Sequence, residues 1–364
     1  MSDRTPIEWA ANADGSPGAT WNPIVGCSVL SPGCKRCYAM RAAARHEKQT
    51  TGAGRVSAYA GLTRPEKSGA VWTGEVRLVE GKLLEPLGWK KPRTVFVNSM
   101  GDLFHEAVEE AWLDRCFAVM ALTPQHTFII LTKRAKRMRD YVNTVHDEPV
   151  RDTARRFARA LNALAGGRPT PEIVWPLPNV WLGVSIEDKR HGAQRAFDLA
   201  WTQAAKRVWS VEPLLEDLGD LTPFCLFDAT IDDAPAVDWV IVGGESGIGA
   251  RPLHPAWVRN VRDQCGAAGA PFFFKQWGAW RPVHEYAGDV ALRRLQTMSL
   301  GAGEIIIGAD GRDVRALPLA DWSIRSEGAV LLRRVGKGEA GRTLDGREWR
   351  DRPPLVHEQR SAAA

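Results

Sequence analysis

Three cysteines near the start of the sequence, Cys27, Cys34 and Cys37, are the residues whose type and spacing most clearly indicate chemistry. They are half of the 6 cysteines in a chain of 364 residues. So few cysteines do not form a disulfide scaffold, and in a reducing compartment a tight group of thiols favours metal binding over cross-linking. The spacing therefore predicts a metal centre.

Two kinds of metal centre suit three thiols. A structural zinc site takes four ligands, so zinc here would need His46 or a distant cysteine as well. An iron–sulfur cluster held by three thiolates instead leaves one iron open to a substrate or cofactor. The spacing favours the cluster, with zinc and a role without metal as alternatives. Cys116, Cys225 and Cys265 stand singly among apolar or helical residues and are predicted to be buried, unreactive thiols.

Short β-forming runs alternate with helix-compatible segments and must position these groups. The predicted strands are residues 20–25, 94–98, 127–131, 180–185, 207–211, 239–242 and 271–274, and the main predicted helices are 106–122, 134–145, 190–205 and 255–268. Several runs are apolar throughout, which is typical of parallel strands buried on both faces. Such repeated βα units indicate either a barrel or an open doubly wound sheet.

We predict an α/β fold in which residues 1–280 form a partial TIM-like (βα) barrel of six to seven parallel strands. Residues 26–38 form its cysteine loop, and 49–92 are an insertion with a short strand within 71–78. Residues 281–364 change to short strands such as 304–307 and 330–334, and are predicted to be a small α+β extension with a polar tail.

Composition limits the classes of function. The sequence has no apolar stretch of transmembrane length and no signal-peptide pattern at its start, so we expect a cytoplasmic protein with no membrane partner. The net charge of +5 permits a polyanionic partner without requiring one. Basic residues concentrate at 133–139, 151–159 and 333–352, where solvated helix faces are the usual explanation. The 15 tryptophans are either core residues or platforms on which bases can stack.

Polar residues follow almost every predicted strand. Ligands of parallel α/β proteins bind at the carboxyl ends of the strands, so this convergence favours an enzyme. Ser99 and Asp102 have helix capping as an alternative role. Glu212 at a strand end is expected to have a partner or a ligand, and Lys275 is placed to pair with Glu212 or with Glu245. Glu212 and Lys275 are the candidate catalytic acid and base.

At this point the chain resembles a known family. The segments that carry the resemblance are Ile7-Glu-Trp9, Thr20-Trp-Asn-Pro-Ile-Val-Gly-Cys27, Ser31-Pro-Gly-Cys-Lys-Arg-Cys-Tyr-Ala39, Val97-Asn-Ser-Met-Gly-Asp-Leu-Phe-His105, Leu131-Thr-Lys-Arg134, Trp181-Leu-Gly-Val-Ser185, Val242-Gly-Gly-Glu-Ser-Gly247 and Phe273-Phe-Lys-Gln-Trp-Gly278. They look like a phage-associated three-cysteine family of unknown function. That family is similar to radical S-adenosylmethionine (SAM) enzymes.

The resemblance implies a [4Fe-4S] cluster on Cys27, Cys34 and Cys37, with SAM bound to the open iron. Standard radical-SAM proteins place the first two cysteines three residues apart, whereas six residues separate Cys27 from Cys34, so the loop here is longer. By motif position, the resemblance assigns SAM contacts to Tyr38, Asn98, Ser99, Asp102, Ser185, Glu212, Gly243, Gly244 and Glu245.

The leading expectation is therefore a radical-SAM-like enzyme that cleaves SAM reductively and modifies or repairs a substrate. A nucleic-acid base or nucleotide, in DNA or RNA, is the expected substrate, and an electron donor is a required partner. One alternative is a non-catalytic nucleic-acid-binding protein with a structural zinc or iron–sulfur site. Another is a lyase or hydrolase that uses the open iron as a Lewis acid together with Glu212 or Lys275. The sequence leaves the oligomeric state open.

Overall fold

The chain forms two compact units. A computed structural model describes residues 4–67, 69–144, 151–167, 170, 172–222, 237–286, 298–316, 328–356 and 358. The first unit comprises residues 1–185, 195–208 and 353–364, and the second comprises 186–194 and 209–352. The predicted division at residue 280 stays a prediction, and Cys225 lies outside the described residues.

Most of the strands follow the predicted runs. In chain order the described strands are β1 (Ala19–Trp21), β2 (Ile24–Val25), β3 (Thr63–Glu66), β4 (Gly69–Trp72), β5 (Arg77–Leu78), β6 (Thr94–Val97), β7 (Thr127–Thr132), β8 (Val180–Ser185), β9 (Lys206–Val211), β10 (Trp239–Gly243), β11 (Phe272–Gln276), β12 (Trp280–Glu285), β13 (Glu304–Ile307), β14 (Val330–Arg334), β15 (Thr343–Leu344) and β16 (Arg347–Glu348).

A seven-stranded sheet carries the predicted βα units. Its order is β1-β6-β7-β8-β9-β10-β11, and the pairs β1–β6, β6–β7, β7–β8 and β10–β11 are parallel. All five residues of β10 are buried, as the continuous apolar run predicts. Because the strands follow one another in chain order, without the reversal that defines a doubly wound sheet, the mixed α/β fold is consistent with a partial barrel.

The helices lie between these strands. The described α-helices are α1 (Tyr38–Gly52), α2 (Glu80–Leu83), α3 (Glu110–Ala121), α4 (Ala135–Thr144), α5 (Arg151–Ala165), α6 (Lys189–Ala200), α7 (Pro255–Ala268) and α8 (Lys337–Ala340). Helix α7 has the predicted bounds, because Pro255 occupies its first turn and Gly269, at φ 67°, ends it in a left-handed conformation. Helix α1, directly after the last cysteine, was not predicted. Among the described helices, none is long and apolar enough to cross a bilayer.

The segments outside the large sheet form small antiparallel sheets. Strands β3 and β4 pair within the predicted insertion, and β2 pairs with β5. In the second unit β12, β14 and β13 form a three-stranded sheet, which confirms the predicted strands 304–307 and 330–334 and adds β12. The backbone of Phe274 donates to the carbonyl of Trp349, and Asp351 donates to that of Phe272. This C-terminal segment therefore covers the edge of β11.

Most tryptophans whose burial is described are core residues. Eight of them are at most 5% exposed: Trp9, Trp21, Trp72, Trp181, Trp209, Trp239, Trp257 and Trp277. Trp201 is the contrast, since 66% of it is exposed and its ring centroid lies 6.2 Å from that of the half-exposed Phe197. The core explanation therefore holds for these eight, and Trp201 keeps the stacking interpretation open.

One buried histidine should make stability depend on pH. His126 is fully buried, its ring lies edge-on to Trp89 and Phe128, and burial lowers its pKa from 6.5 to about 4. The unfolded chain therefore binds a proton at a higher pH than the folded chain, so stability falls as the pH drops from about 6.5 towards 4. We expect a loss of about 2 kcal/mol between pH 7.5 and pH 5.

Urea unfolding at the two pH values measures this loss. In His126→Gln the side chain has no proton to gain, so the drop in unfolding free energy should be smaller by that amount. An equal drop in both proteins would contradict the assignment to His126.

Candidate functional site

The cysteine loop follows β2 and is fixed by backbone contacts. Gly26 has φ 95°, and a Cβ at this position would lie 2.2 Å from the carbonyl oxygen of Glu75, so only glycine fits. The amide of Gly26 donates to Met100 at 3.1 Å. Cys34 lies on the 3-10 helix Pro32–Arg36 and is 6% exposed. The backbone next to Cys27 is therefore joined to the loop after β6.

Cys37 lies at the N-terminus of α1. Burial raises the pKa of its thiol above the ordinary value, and the backbone amides of Ala39 and Met40, which interact with the sulfur, partly oppose this rise. Lys133, at the end of β7, also lowers this pKa. A helix N-terminus and a nearby cation both favour the thiolate, which is the form that binds metal.

Cys27 contacts a buried cation. The pKa of its thiol is raised to about 12, chiefly by burial and to a smaller extent by Asp102, while Arg134 lowers it. The Arg134 guanidinium donates to Cys27 Sγ through Nη1 at 3.5 Å. Cys27 and Cys37 pack against the same group of core residues, and the other two cysteines also raise the pKa of Cys27.

Arg134 is the centre of a hydrogen-bonded network that sequence reasoning missed. Its Nη1 also donates to Asp102 Oδ2 at 3.2 Å, its Nη2 to Ser28 Oγ at 2.6 Å, and its Nε to both oxygens of Glu106 at 3.2 Å. His105 accepts from the amide of Ala107 through Nδ1, so its Nε2 donates to Ser28 Oγ at 2.9 Å. The sequence signals were that residues 132–134 follow a strand and that Arg134 ends one of the segments that carry the family resemblance.

Asp102 is fully occupied by this network. Its Oδ1 accepts from Thr132 Oγ1 at 2.6 Å and from the amide of Phe104 at 3.0 Å. Its Oδ2 accepts from the amide of Lys133 at 3.1 Å and from Arg134. A carboxylate has about four acceptor positions. The geometry therefore favours a positioning role for Asp102 over the SAM contact assigned by resemblance, which stays a prediction.

The segment after β6 joins three other predicted SAM contacts. Ser99 Oγ donates to Asn22 Oδ1 at 3.2 Å, and the hydroxyl of Tyr38 donates to the Ser99 carbonyl at 2.7 Å. Asn98 has φ 55° and is 3% exposed, and its Oδ1 accepts from the amide of Ile24 at 3.4 Å. Its Nδ2 is buried and has no hydrogen-bond partner among the described residues. A buried amide without an acceptor is an exception among buried polar groups, and this nitrogen is also closed to a ligand in the conformation described.

The three thiols suit an iron–sulfur cluster by their chemistry, and His46 does not complete a zinc site with them. His46, the local fourth ligand considered for zinc, lies nine residues beyond Cys37 on α1, about 13 Å along the helix axis, and stacks on Tyr59. Across the part of the chain that the structure describes, no group of three or more His, Cys, Asp or Glu side chains is arranged to hold a metal ion. The three thiolates of a cluster bind three different irons, so their sulfurs stand farther apart than ligands of one ion.

A second group of predicted residues assembles in the other unit. Lys275 Nζ at the end of β11 lies 3.0 Å from Glu212 Oε1 and 3.2 Å from Oε2, and both side chains are mostly buried. A Cβ at Gly243 would lie 2.4 Å from Glu212 Oε1, so glycine makes room for this carboxylate. The predicted pairing of Lys275 with Glu212 is therefore present.

Glu245 has a different cation. Its Oε1 accepts from Arg251 Nη2 at 2.6 Å, and its Oε2 accepts from the Arg251 backbone amide at 2.8 Å. Gly244 is packed against backbone, since a Cβ there would lie 2.1 Å from the carbonyl oxygen of Trp277. Ser185 belongs to the first unit, and its carbonyl accepts from Arg195. The predicted SAM contacts therefore divide between the two units.

Many residues of the basic runs have partners inside the protein. In 133–139, Arg134 and Arg139 pair with carboxylates, and Arg137 donates to the Val108 carbonyl. Arg156 pairs with Asp114 at 3.0 Å. In the C-terminal run, Arg333 binds Glu304, Arg342 and Arg350 bind Glu348, and Arg347 stacks over Trp349. Internal ion pairing thus explains much of this charge.

Comparison with known proteins gives one match. A family described as "Protein of unknown function (DUF5131)" matches residues 4–353. No match was found among the curated proteins or among the solved structures.

Proposed function

The chain belongs to this family of unknown function, and we propose that it is a cytoplasmic iron–sulfur enzyme of the radical-SAM type. The observation that carries the proposal is the setting of Cys27, Cys34 and Cys37. Cys27 contacts the buried cation Arg134, Cys37 lies at the N-terminus of α1, and both cysteines pack against the same group of core residues. This combination suits thiolates that hold an anionic cluster.

The residues of the chain have separate tasks in this proposal. The three cysteines hold the cluster and leave one iron open. When bound, a [4Fe-4S] cluster supplies one electron and an open coordination site at which SAM can be held. Asn98 is assigned to the methionine portion of SAM by its motif position, and Tyr38, whose hydroxyl binds Ser99, presents its half-exposed ring next to Cys37.

The remaining residue roles are also part of the proposal. Ser99, Ser185, Glu212 and residues 243–245 are assigned to SAM by their motif positions alone. Lys275 and Glu212 form an ion pair and are therefore placed to exchange a proton with a bound group. The same pair is what favours the second candidate, a cluster-containing lyase or hydrolase with Glu212 or Lys275 as acid or base.

A nucleic-acid base remains the proposed substrate. Its support is the net charge of +5 and the exposed rings of Trp201 and Phe197, which can stack on bases. Because many basic residues pair with carboxylates inside the protein, the net charge supports a nucleic-acid substrate less strongly. Salt-dependent binding of DNA or RNA tests this substrate directly. A small electron-transfer protein is the proposed second partner.

Anaerobic purification followed by incubation with SAM tests the function. We expect about four irons and four sulfides per chain. With dithionite as the electron source, SAM should yield methionine, and the adenosyl portion should appear as 5′-deoxyadenosine after it takes a hydrogen atom. Omitting dithionite is the matched control and should abolish both products.

Three outcomes separate the candidates. Stoichiometric zinc without iron would reject the cluster and support the zinc-containing binding protein. A full cluster without methionine or 5′-deoxyadenosine would favour the lyase or hydrolase. Iron loading together with dithionite-dependent release of both products would support the radical enzyme.

A further inference from the structure

We propose that Arg134 is a positioning residue that donates an N–H···S hydrogen bond to the Cys27 ligand and thereby raises the reduction potential of the cluster. This inference rests on the proposed function, because it concerns the group that the three cysteines would hold. It assigns a role to a residue that lies 107 positions from Cys27 in the sequence.

The geometry leaves Arg134 little freedom. Its side chain is 4% exposed, and each of its three nitrogens donates to a different part of the site: Nε to Glu106, Nη1 to Cys27 and Asp102, and Nη2 to Ser28. The guanidinium is a rigid planar fork, so fixing two of its nitrogens also fixes the third. The N–H directed at Cys27 Sγ is therefore held in place before any ligand binds.

The fold places this fork from the end of β7. Thr132 Oγ1 accepts from the backbone amide of Arg134 at 2.9 Å and donates to Asp102. Asp102 in turn binds the amides of Lys133 and Phe104, so the loops after β6 and β7 are joined by one carboxylate. The position of Nη1 beside Cys27 is therefore set by buried contacts on both sides.

The hydrogen bond, rather than net charge, should dominate the effect. Asp102 and Glu106 each bind the same guanidinium, so the group of three carries a net charge of −1 and cannot act as a simple positive site. Reduction adds one electron to an anionic cluster and increases the negative charge on its thiolate sulfurs. A fixed donor stabilises that charge, and hydrogen bonds to the sulfurs are among the determinants of cluster potential. In this buried setting the donor is weakly screened.

The test is a redox titration of Arg134→Lys followed by electron paramagnetic resonance. Lysine keeps the positive charge but cannot reproduce the fork, so the hydrogen bond to Cys27 should be lost. We expect the potential to fall, with about a tenfold lower ratio of reduced to oxidised cluster at a fixed applied potential, or about 59 mV for one electron. Arg139→Lys is the matched control, since Arg139 lies on the adjacent helix α4 and pairs with Asp198.

A second measurement covers the case in which Arg134→Lys does not load a cluster. Pulsed resonance on reduced wild-type protein, with ¹⁵N in the guanidino groups of its arginines, should show coupling between a guanidino nitrogen and the cluster. No coupling, or a potential in loaded Arg134→Lys equal to that of wild type, would overturn the inference. Absence of a cluster signal from wild type would instead reject the proposed function, so the two failures are distinguishable.

Discussion

Cys34→Ala is expected to abolish iron loading, from about four irons per chain to less than about one. Cys34 is the middle thiol of the loop and is 6% exposed. Of its described hydrogen-bonding contacts, only the weak one at 3.6 Å from Sγ to Ser31 Oγ involves the side chain. Alanine removes the ligand and leaves the backbone bonds of Cys34 to Ser31 and Cys37 in place. The loop should therefore keep its fold and lose its metal.

Iron and sulfide analysis of anaerobically prepared protein measures this effect. The matched control is Cys265→Ala, because Cys265 is a fully buried thiol on α7 in the other unit. It should bind as much iron as wild type, whereas Cys34→Ala should not. Circular dichroism of both variants should match that of wild type. Full iron content in Cys34→Ala would show that the cluster is held elsewhere or that another ligand replaces this thiol.

Local sequence patterns predicted the seven strands of the large sheet well. Strand β8 has the predicted bounds, because its run of apolar and β-branched residues ends at polar Ser185, and α7 has them because of Pro255 and Gly269. The first predicted strand was too long. It divides into β1, in the large sheet, and β2, in a separate pair with β5. Asn22 and Pro23 lie at the break, and Asn22 Oδ1 binds Ser99 and Met100 instead of continuing the strand.

Contacts between distant residues explain what the sequence could not predict. Arg134 stands just after a strand and ends one of the segments that carry the resemblance, but neither feature indicates that it, and not Arg137 or Arg139, bonds to Cys27. Helix α1 was missed because its N-cap residue is Cys37, which is not one of the side chains favoured at that position. The sequence therefore has no start signal for a helix at Tyr38. The sequence identified the predicted site residues one at a time. It could not identify the partners that orient them, because these partners lie at the ends of other strands.

The structure also changes what the cysteine loop requires. Residues 132–134 supply a hydroxyl, an amine and a guanidinium, which act on Asp102, Cys37 and Cys27 respectively. The loop after β7 therefore donates a hydrogen bond to Cys27 and lowers the pKa of Cys37, although the spacing of the cysteines gives no indication of either. Asp102 is the residue on which this arrangement depends most, because it binds both the backbone and the side chain of that loop.

Asp102→Asn is expected to lower the free energy of unfolding by about 3 kcal/mol, since it leaves the charge of Arg134 poorly compensated in the interior. The side chains of Asp102 and Arg134 are 7% and 4% exposed, so water cannot replace the lost carboxylate. Asparagine keeps the shape and one acceptor oxygen. Its amide nitrogen would face two donors, the amide of Lys133 and Nη1 of Arg134. Glu106, which is 61% exposed, is too hydrated to take over.

Urea unfolding measures this difference, with Glu80→Gln as the control, because Glu80 and Arg115 form a largely exposed pair whose loss should cost less than about 1 kcal/mol. The cause is identified by adding Arg134→Met to Asp102→Asn. If the uncompensated charge of Arg134 causes the loss in Asp102→Asn, Arg134→Met removes that charge. The double variant should then be more stable than the sum of the two single effects predicts. Strict additivity would mean that Asp102 acts through its bonds to Thr132 and Phe104, and that the charge of Arg134 is compensated by Glu106 alone.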